Sequence, residues 1–233
     1  MSIVDQPAKA IYLANRHARL TRDEFRERWL QHSRVGEVMS GGPQPIAGLR
    51  YCLTVDPAGL LPGASNEHDG VGLLALRSAV SIPSMYAVLT RNDTAFADEL
   101  RTFERPVEDV TVYAASELVV AGPETDVVVF GYARRREVVD AVEHVRALER
   151  QGDDDSVLAA GLRRWVRNVA VGASPRGFGY DAVTELWFDS LDAVADAAPA
   201  IDAFFARREA HTERRASVVL VTTVVHRLGR PRP

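Results

Sequence analysis

The side chains in this chain best placed to do chemistry are a few histidines, tyrosines, arginines and carboxylates set at helix and strand spacings. Phe25, Trp29 and His32 fall at i, i+4 and i+7, so they share one helix face. An imidazole there titrates near neutrality and suits general acid or base work on a bound ligand. The alternative is a hydrogen-bonded histidine closing the helix end, where positive charge suits the macrodipole. In the segment from Leu49 to Val55 alternate residues share a face, so Arg50, Cys52 and Thr54 point one way and Leu49, Tyr51, Leu53 and Val55 the other. Arg50 is a candidate to bind a carboxylate or enolate oxygen and Tyr51 to donate to one. A strand-end salt bridge and a packed ring are the plainer roles for the two. Tyr12, Asn15 and His17 raise the same choice on an earlier strand. Asp69 follows His68, and the two are either an orienting couple or the start of an Asp-Gly turn. Glu185 lies in an otherwise apolar strand, so it faces an interior or is paired, with Arg164 or Arg167 as partners on the neighbouring strand.

Composition narrows the chemistry further. Twenty-eight basic residues against 32 acidic ones leave a net charge of −4, which excludes a general nucleic-acid binder. The 46% hydrophobic content is that of a soluble globular chain with a real core. No apolar run approaches the ~18 residues of a membrane span, and MSIVDQPAK lacks the features of a signal peptide, so a cytoplasmic protein without a membrane partner is expected. One cysteine, Cys52, allows no internal disulfide, and one lysine, Lys9, is the only side chain open to Schiff-base chemistry, a role it is not expected to play. Neither the histidines, His211 and His226 included, nor the carboxylates show metal-ligand spacing, and no phosphate-cradling glycine motif opens a helix. The run Gly172–Gly179 reads as a hairpin loop and Gly152–Ser156 as an exposed one. No metal and no cofactor are expected, and the partner is a small-molecule substrate.

These residues need elements to position them, and the chain supplies two similar sets. Asp69–Ser78 aligns with Asp181–Ser190 at an offset of 112. The first half reads as strand Ala10–Asn15, a helix opened by Thr21 with Glu24 at capping-box spacing, strands Leu49–Val55 and Val71–Leu76, a helix carrying a Phe96, Leu100, Phe103 stripe, and strand Val110–Val120. The second half reads as strand Val127–Ala133, helix Glu137–Leu148 with Val138, Ala141, Val142 and Val145 inward, strands Trp165–Val171 and Ala182–Phe188, helix Leu191–Arg208, and strand Ser217–Val225. The fold class is therefore α+β: two ferredoxin-like β-α-β-β-α-β units, over residues 8–121 and 126–229, meeting at a Gly122-Pro123 joint. Each antiparallel sheet carries its helices on one face, and the other copy covers the other face.

The helix Thr21–His32, the segment Asp69-Gly70-Val71, the run Asp98–Val107 and the segment Tyr180–Phe188 resemble those of EthD-like proteins. The resemblance covers most of the chain and implies the dimeric α/β-barrel superfamily, with sheets enclosing a cavity and here both units in one chain as a pseudo-dimer. Its members include isomerases, cyclases, decarboxylases, dehydratases, cofactor-free quinol monooxygenases and haem-handling enzymes. The second half lacks the Phe, Trp and His series, which assigns the polar site to the first.

The resulting expectation is a metal- and nucleotide-independent enzyme, a lyase or isomerase, that transfers a proton next to a carbonyl in an oxygenated cyclic substrate. His32 would be the acid or base, Arg50 and Tyr51 would stabilise the oxyanion, and Tyr12, Trp29, Asp69 and Glu185 would bind substrate. A cofactor-free or haem-dependent oxygenase, and a non-catalytic binding protein, are the alternatives; pairing of the pseudo-dimer into a homodimer is compatible with all three.

Overall fold

Strand β1 (Ala8–Ala14) is buried at all seven positions, and so are β5 (Val127–Ala133) and β7 (Ala182–Phe188). Side chains alternate between the faces of a strand, so both faces of these strands must be covered. In β1, Ile11 and Leu13 join one core while Ala8, Ala10 and Tyr12 join another. The first core is the inside of a barrel, and the second lies between the barrel wall and helices.

The computed structural model describes residues 7–38, 46–83, 93–150, 159–171 and 178–229. After β1 come α1 (Arg22–Val38), β2 (Ile46–Thr54), β3 (Gly70–Leu76), α2 (Asp93–Thr102) and β4 (Thr111–Val120). After β5 come α3 (Ala141–Arg150), β6 (Arg164–Ala170), β7, α4 (Leu191–Ala206) and β8 (Val218–Gly229). The strands close in the order β1-β3-β2-β8-β5-β7-β6-β4. Each half thus contributes a ferredoxin-like sheet, and the antiparallel seams β2–β8 and β4–β6 join the two into one α/β barrel. No helix among the described residues is long and apolar enough to cross a membrane.

Packed side chains occupy the barrel interior, with Phe130 and Trp187 among the largest. They surround a polar network that spans the halves. Lys9 Nζ donates to Glu185 Oε1 at 2.6 Å, Asn168 Nδ2 to the same oxygen at 2.9 Å, and Trp187 Nε1 to Glu185 Oε2 at 3.2 Å. Ser116 Oγ donates to Asn168 Oδ1 at 2.7 Å. Glu185 is therefore both inside the barrel and paired, but its partner is Lys9 from the other half, not Arg164 or Arg167. Arg167 lies on the opposite strand face and binds Glu117 and the Leu148 carbonyl.

The capping box forms as expected: Thr21 N donates to Glu24 and Glu24 N to Thr21 Oγ1. Two helices are rotated from expectation. On α2, Phe96 and Leu100 are 38% and 44% exposed, and Asp98, Glu99 and Thr102 are buried in their place. Polar partners decide the matter: Asp98 receives Arg28 and His32 of α1, Glu99 accepts Val107 N at 3.1 Å, and Thr102 Oγ1 donates to Asp98 O. Helix α3 starts at Ala141 because Asp140 caps it through Glu143 N. Val138 therefore lies outside the helix and is exposed, and the helix phase exposes Val142 and buries His144, Ala147 and Leu148. The Gly152–Ser156 loop and most of the glycine-rich hairpin lie outside the described residues.

Two measurements test these assignments. Lys9→Met strands a buried carboxylate and is expected to cost about 3–5 kcal/mol in urea unfolding, most of it recovered when Glu185→Leu is added. Burial pushes the Glu99 carboxyl from its ordinary 4.5 up to about 7, so between those values the folded chain binds more protons than the unfolded one. Stability then falls as pH rises through that window, by up to about 3 kcal/mol. Glu99→Gln should therefore raise the urea midpoint above wild type at pH 8 and leave it close to wild type at pH 5.

Candidate functional site

One end of the barrel is organised by a clasp that occurs in both halves. Asp69, just before β3, accepts Arg16 N through Oδ2 at 2.9 Å and the Arg16 guanidinium through Oδ1. Asp181, just before β7, accepts Arg135 N at 2.8 Å and Arg135 Nε at 3.0 Å. Each aspartate N–H also donates to the last carbonyl of the preceding unit strand, Ala14 or Ala133. The expected substrate ligand Asp69 thus holds the chain that leaves β1.

Beside the first clasp the residues form a relay. Asn15 Nδ2 donates to Glu104 Oε2 at 3.1 Å, and Asn15 Oδ1 lies 2.8 Å from His68 Nδ1. A carboxylate only accepts, so Glu104 fixes the Asn15 amide with its NH2 outward and its oxygen toward His68. His68 Nδ1 must then carry the hydrogen, and Nε2 holds the lone pair. Burial lowers the His68 pKa, against the opposing charges of Glu67, Asp69 and Glu104, and so favours the neutral ring. A further backbone bond, Glu104 N to Asn15 O at 2.9 Å, ties the same two residues together.

His68, Asn15 and Glu104 line a cavity of about 130 Å³ at the barrel mouth, walled by Tyr12, Phe103, Phe178 and Tyr180, with Arg134 at its edge. Arg134 Nε donates to Gly179 O at 2.8 Å, and its guanidinium carbon lies 5.5 Å from the centre of the Tyr180 ring. Burial raises the Tyr180 phenol pKa, with the Arg134 charge working against it.

The expected site residues fall into three places. Tyr12, Trp29, Tyr51 and His32 gather between the first sheet and its helices. Trp29 Nε1 donates to the Tyr12 hydroxyl at 2.9 Å and the indole stacks on Tyr51 at 4.5 Å. A Cβ on Gly72 would stand 2.1 Å from the Tyr12 ring, so glycine is needed beneath it. His32 Nδ1 lies 2.8 Å from Asp98 Oδ2, and its ring meets the edge of Phe103 at 5.5 Å. Burial lowers the His32 pKa, the Asp98 bond and charge opposing and the Arg28 charge assisting. Of this group only Tyr12 also reaches the mouth cavity. Arg50 and Glu185 face the barrel interior; Arg50 binds Glu124 at 2.7 Å and the Leu49 and Leu228 carbonyls. Arg50 and Tyr51, adjacent in β2, therefore act on opposite faces, and His32, Arg50 and Tyr51 do not converge. Asp69 stays with its clasp.

Sequence reasoning passed over Lys9, Glu104, Arg134 and Tyr180. Lys9 carried a usable signal, as the chain's one lysine on the Ile11, Leu13 strand face. Glu104 and Arg134 carried none, because their partners come from distant segments.

No family model and no curated protein matches this chain. Solved structures do match in fold. A monooxygenase candidate from Fusobacterium nucleatum aligns with TM-score 0.59 at 10% identity, over 99% of this chain and 96% of its own. An anthrone oxidase-like protein aligns with TM-score 0.56 at 12% identity, over 96% and 93%. A mutant chlorite dismutase from Candidatus Nitrospira defluvii aligns with TM-score 0.51 at 10% identity, over 94% and 92%. Across nearly its whole length, then, the chain has the dimeric α/β-barrel fold.

Proposed function

We propose that the barrel mouth is the active site of an enzyme that transfers a proton at a carbon next to a carbonyl, with His68 Nε2 as the base. The Glu104–Asn15–His68 relay carries this reading, because it leaves a neutral imidazole with a fixed lone pair on the wall of a cavity. Size and walls set the substrate class. A void of about 130 Å³ lined by aromatic rings suits a single-ring molecule, being close to the ~150 Å³ that accommodates benzene in another protein's apolar cavity. His68 takes the proton, Arg134 and the Tyr180 hydroxyl stabilise the oxyanion that develops, and the proton returns at another carbon or to a leaving group. Isomerisation, dehydration, cyclisation and decarboxylation all follow this first step. The EthD-like resemblance supports the placement, since its segments Asp98–Val107 and Tyr180–Phe188 contribute Phe103, Glu104 and Tyr180 to the cavity. The cluster around His32 and Tyr51 backs the Tyr12 and Phe103 walls.

A second reading adds dioxygen. The carbanion left by the same proton abstraction can be oxidised by O2, and the fold likeness to an anthrone oxidase-like protein and a monooxygenase candidate supports it. A haem-dependent form does not fit this site: a porphyrin has four pyrrole rings, and the mouth cavity has room for about one ring.

Deuterium incorporation from D2O into a panel of one-ring ketones and phenols, read by proton NMR, tests the proposal. The wild type should accelerate exchange, and His68→Ala should lower the rate about 10²–10⁴-fold while the fold is kept. Equal rates in the two proteins would reject His68 as the base. Oxygen uptake with the same panel separates the two readings.

A further inference from the structure

The arginines at the barrel mouth divide into two groups. Arg16 and Arg135 are held by the Asp69 and Asp181 clasps. Arg105 and Arg134 line the mouth cavity, and among the described residues neither is ion-paired with a carboxylate. Arg134 gives its Nε to the Gly179 carbonyl, and Arg105 is exposed with no hydrogen bond to the described protein. Glu104, the acid next to Arg105 in the chain, is committed to the Asn15 amide.

The opposite sign collects around the base. The charges that act on His68 are the carboxylates of Glu67, Asp69 and Glu104. A negative group on a ligand is therefore repelled from the imidazole and drawn to the guanidinium groups. Arg134 and the Tyr180 hydroxyl serve the oxyanion that develops during proton transfer, which leaves Arg105 for a group that is anionic from the start. A guanidinium presents a planar fork of donors that matches a carboxylate. The position suits this pairing as well. Phe103, Phe178 and Tyr180 give a ring an apolar wall, whereas Arg105 is exposed, so a carboxylate beside it keeps part of its hydration.

We propose that the substrate of the mouth site is a one-ring keto acid, with its ring in the aromatic cavity, its carbonyl oxygen toward Arg134 and its carboxylate at Arg105. This inference rests on the proton-transfer reading of the cavity and adds the substrate class to it.

The probes are 4-oxocyclohexanecarboxylate and its uncharged carboxamide, which share one carbonyl-bearing ring of a size for the cavity. Deuterium exchange next to the carbonyl, read by proton NMR, should give a kcat/KM about fivefold higher for the acid, the scale of one exposed ion pair. Added sodium chloride should shrink the preference. Arg105→Gln should raise KM for the acid and bring the acid-to-amide ratio close to one, and Arg105→Lys, which keeps the charge, should retain part of the preference. Equal kcat/KM for the two probes, or a preference that survives in Arg105→Gln, would overturn the keto-acid assignment and leave His68 as the base. Calorimetry separates the claims in the other direction. If neither probe exchanges but the acid binds more tightly than the amide through Arg105, only the His68 reading falls; if that difference is missing too, both fall. Tighter Arg105-dependent binding of phenyl phosphate than of benzoate would overturn the carboxylate class.

Discussion

Closure of eight antiparallel strands with alternating side chains is the constraint on which every other feature of the molecule rests. Once the β2–β8 and β4–β6 seams form, each strand residue has two destinations, the interior or the layer under the helices. The interior is taken by large apolar side chains and by the Lys9–Glu185 network. Two ion-paired groups there gain from low polarity only because Asn168 and Trp187 satisfy the carboxylate oxygens that remain. The cavity among the described residues that His68 lines is accordingly at the barrel mouth, where chain segments leave the strands.

At the mouth the halves share a framework and differ in what it holds. Arg16–Asp69 and Arg135–Asp181 are the same clasp, with offsets of 119 and 112. Applying those offsets to the relay, Asn15 corresponds to Arg134 and His68 to Tyr180. One half therefore presents an imidazole, and the other presents a guanidinium and a phenol to the same cavity. A pseudo-dimer in one chain can differentiate its two copies in this way, whereas a homodimer must present the same residue twice.

Strand periodicity made the fold legible from sequence: β5 and β7 fall on the expected residues, and the other strands differ by a few positions at their ends. Helix faces were harder to read. On α2 Phe96 and Leu100 of the expected stripe point outward, while Phe103 beyond the helix end stays buried, because Asp98 pairs with Arg28 and His32 of α1, which are distant in sequence, and Glu99 accepts from Val107 N. The same limit applies to the site. His32, Arg50 and Tyr51 are prominent by residue type, yet a closed wall separates the directions in which the last two point. His68 and Asn15 were visible as residues, but their coupling through Glu104 depends on how α2 ends over β1, which no local pattern encodes.

The enclosed lysine also changes how the outside of the protein behaves. Lys9 is the chain's one lysine and is buried in the barrel, so the positive side chains on the described surface are guanidinium groups. Guanidinium keeps its charge to strongly alkaline pH and is a poor nucleophile toward the acyl donors and sugars that modify lysine amines. While the barrel stays closed the surface therefore offers no lysine ε-amine to acetylation, to glycation by reducing sugars, to amine cross-linking or to ubiquitin.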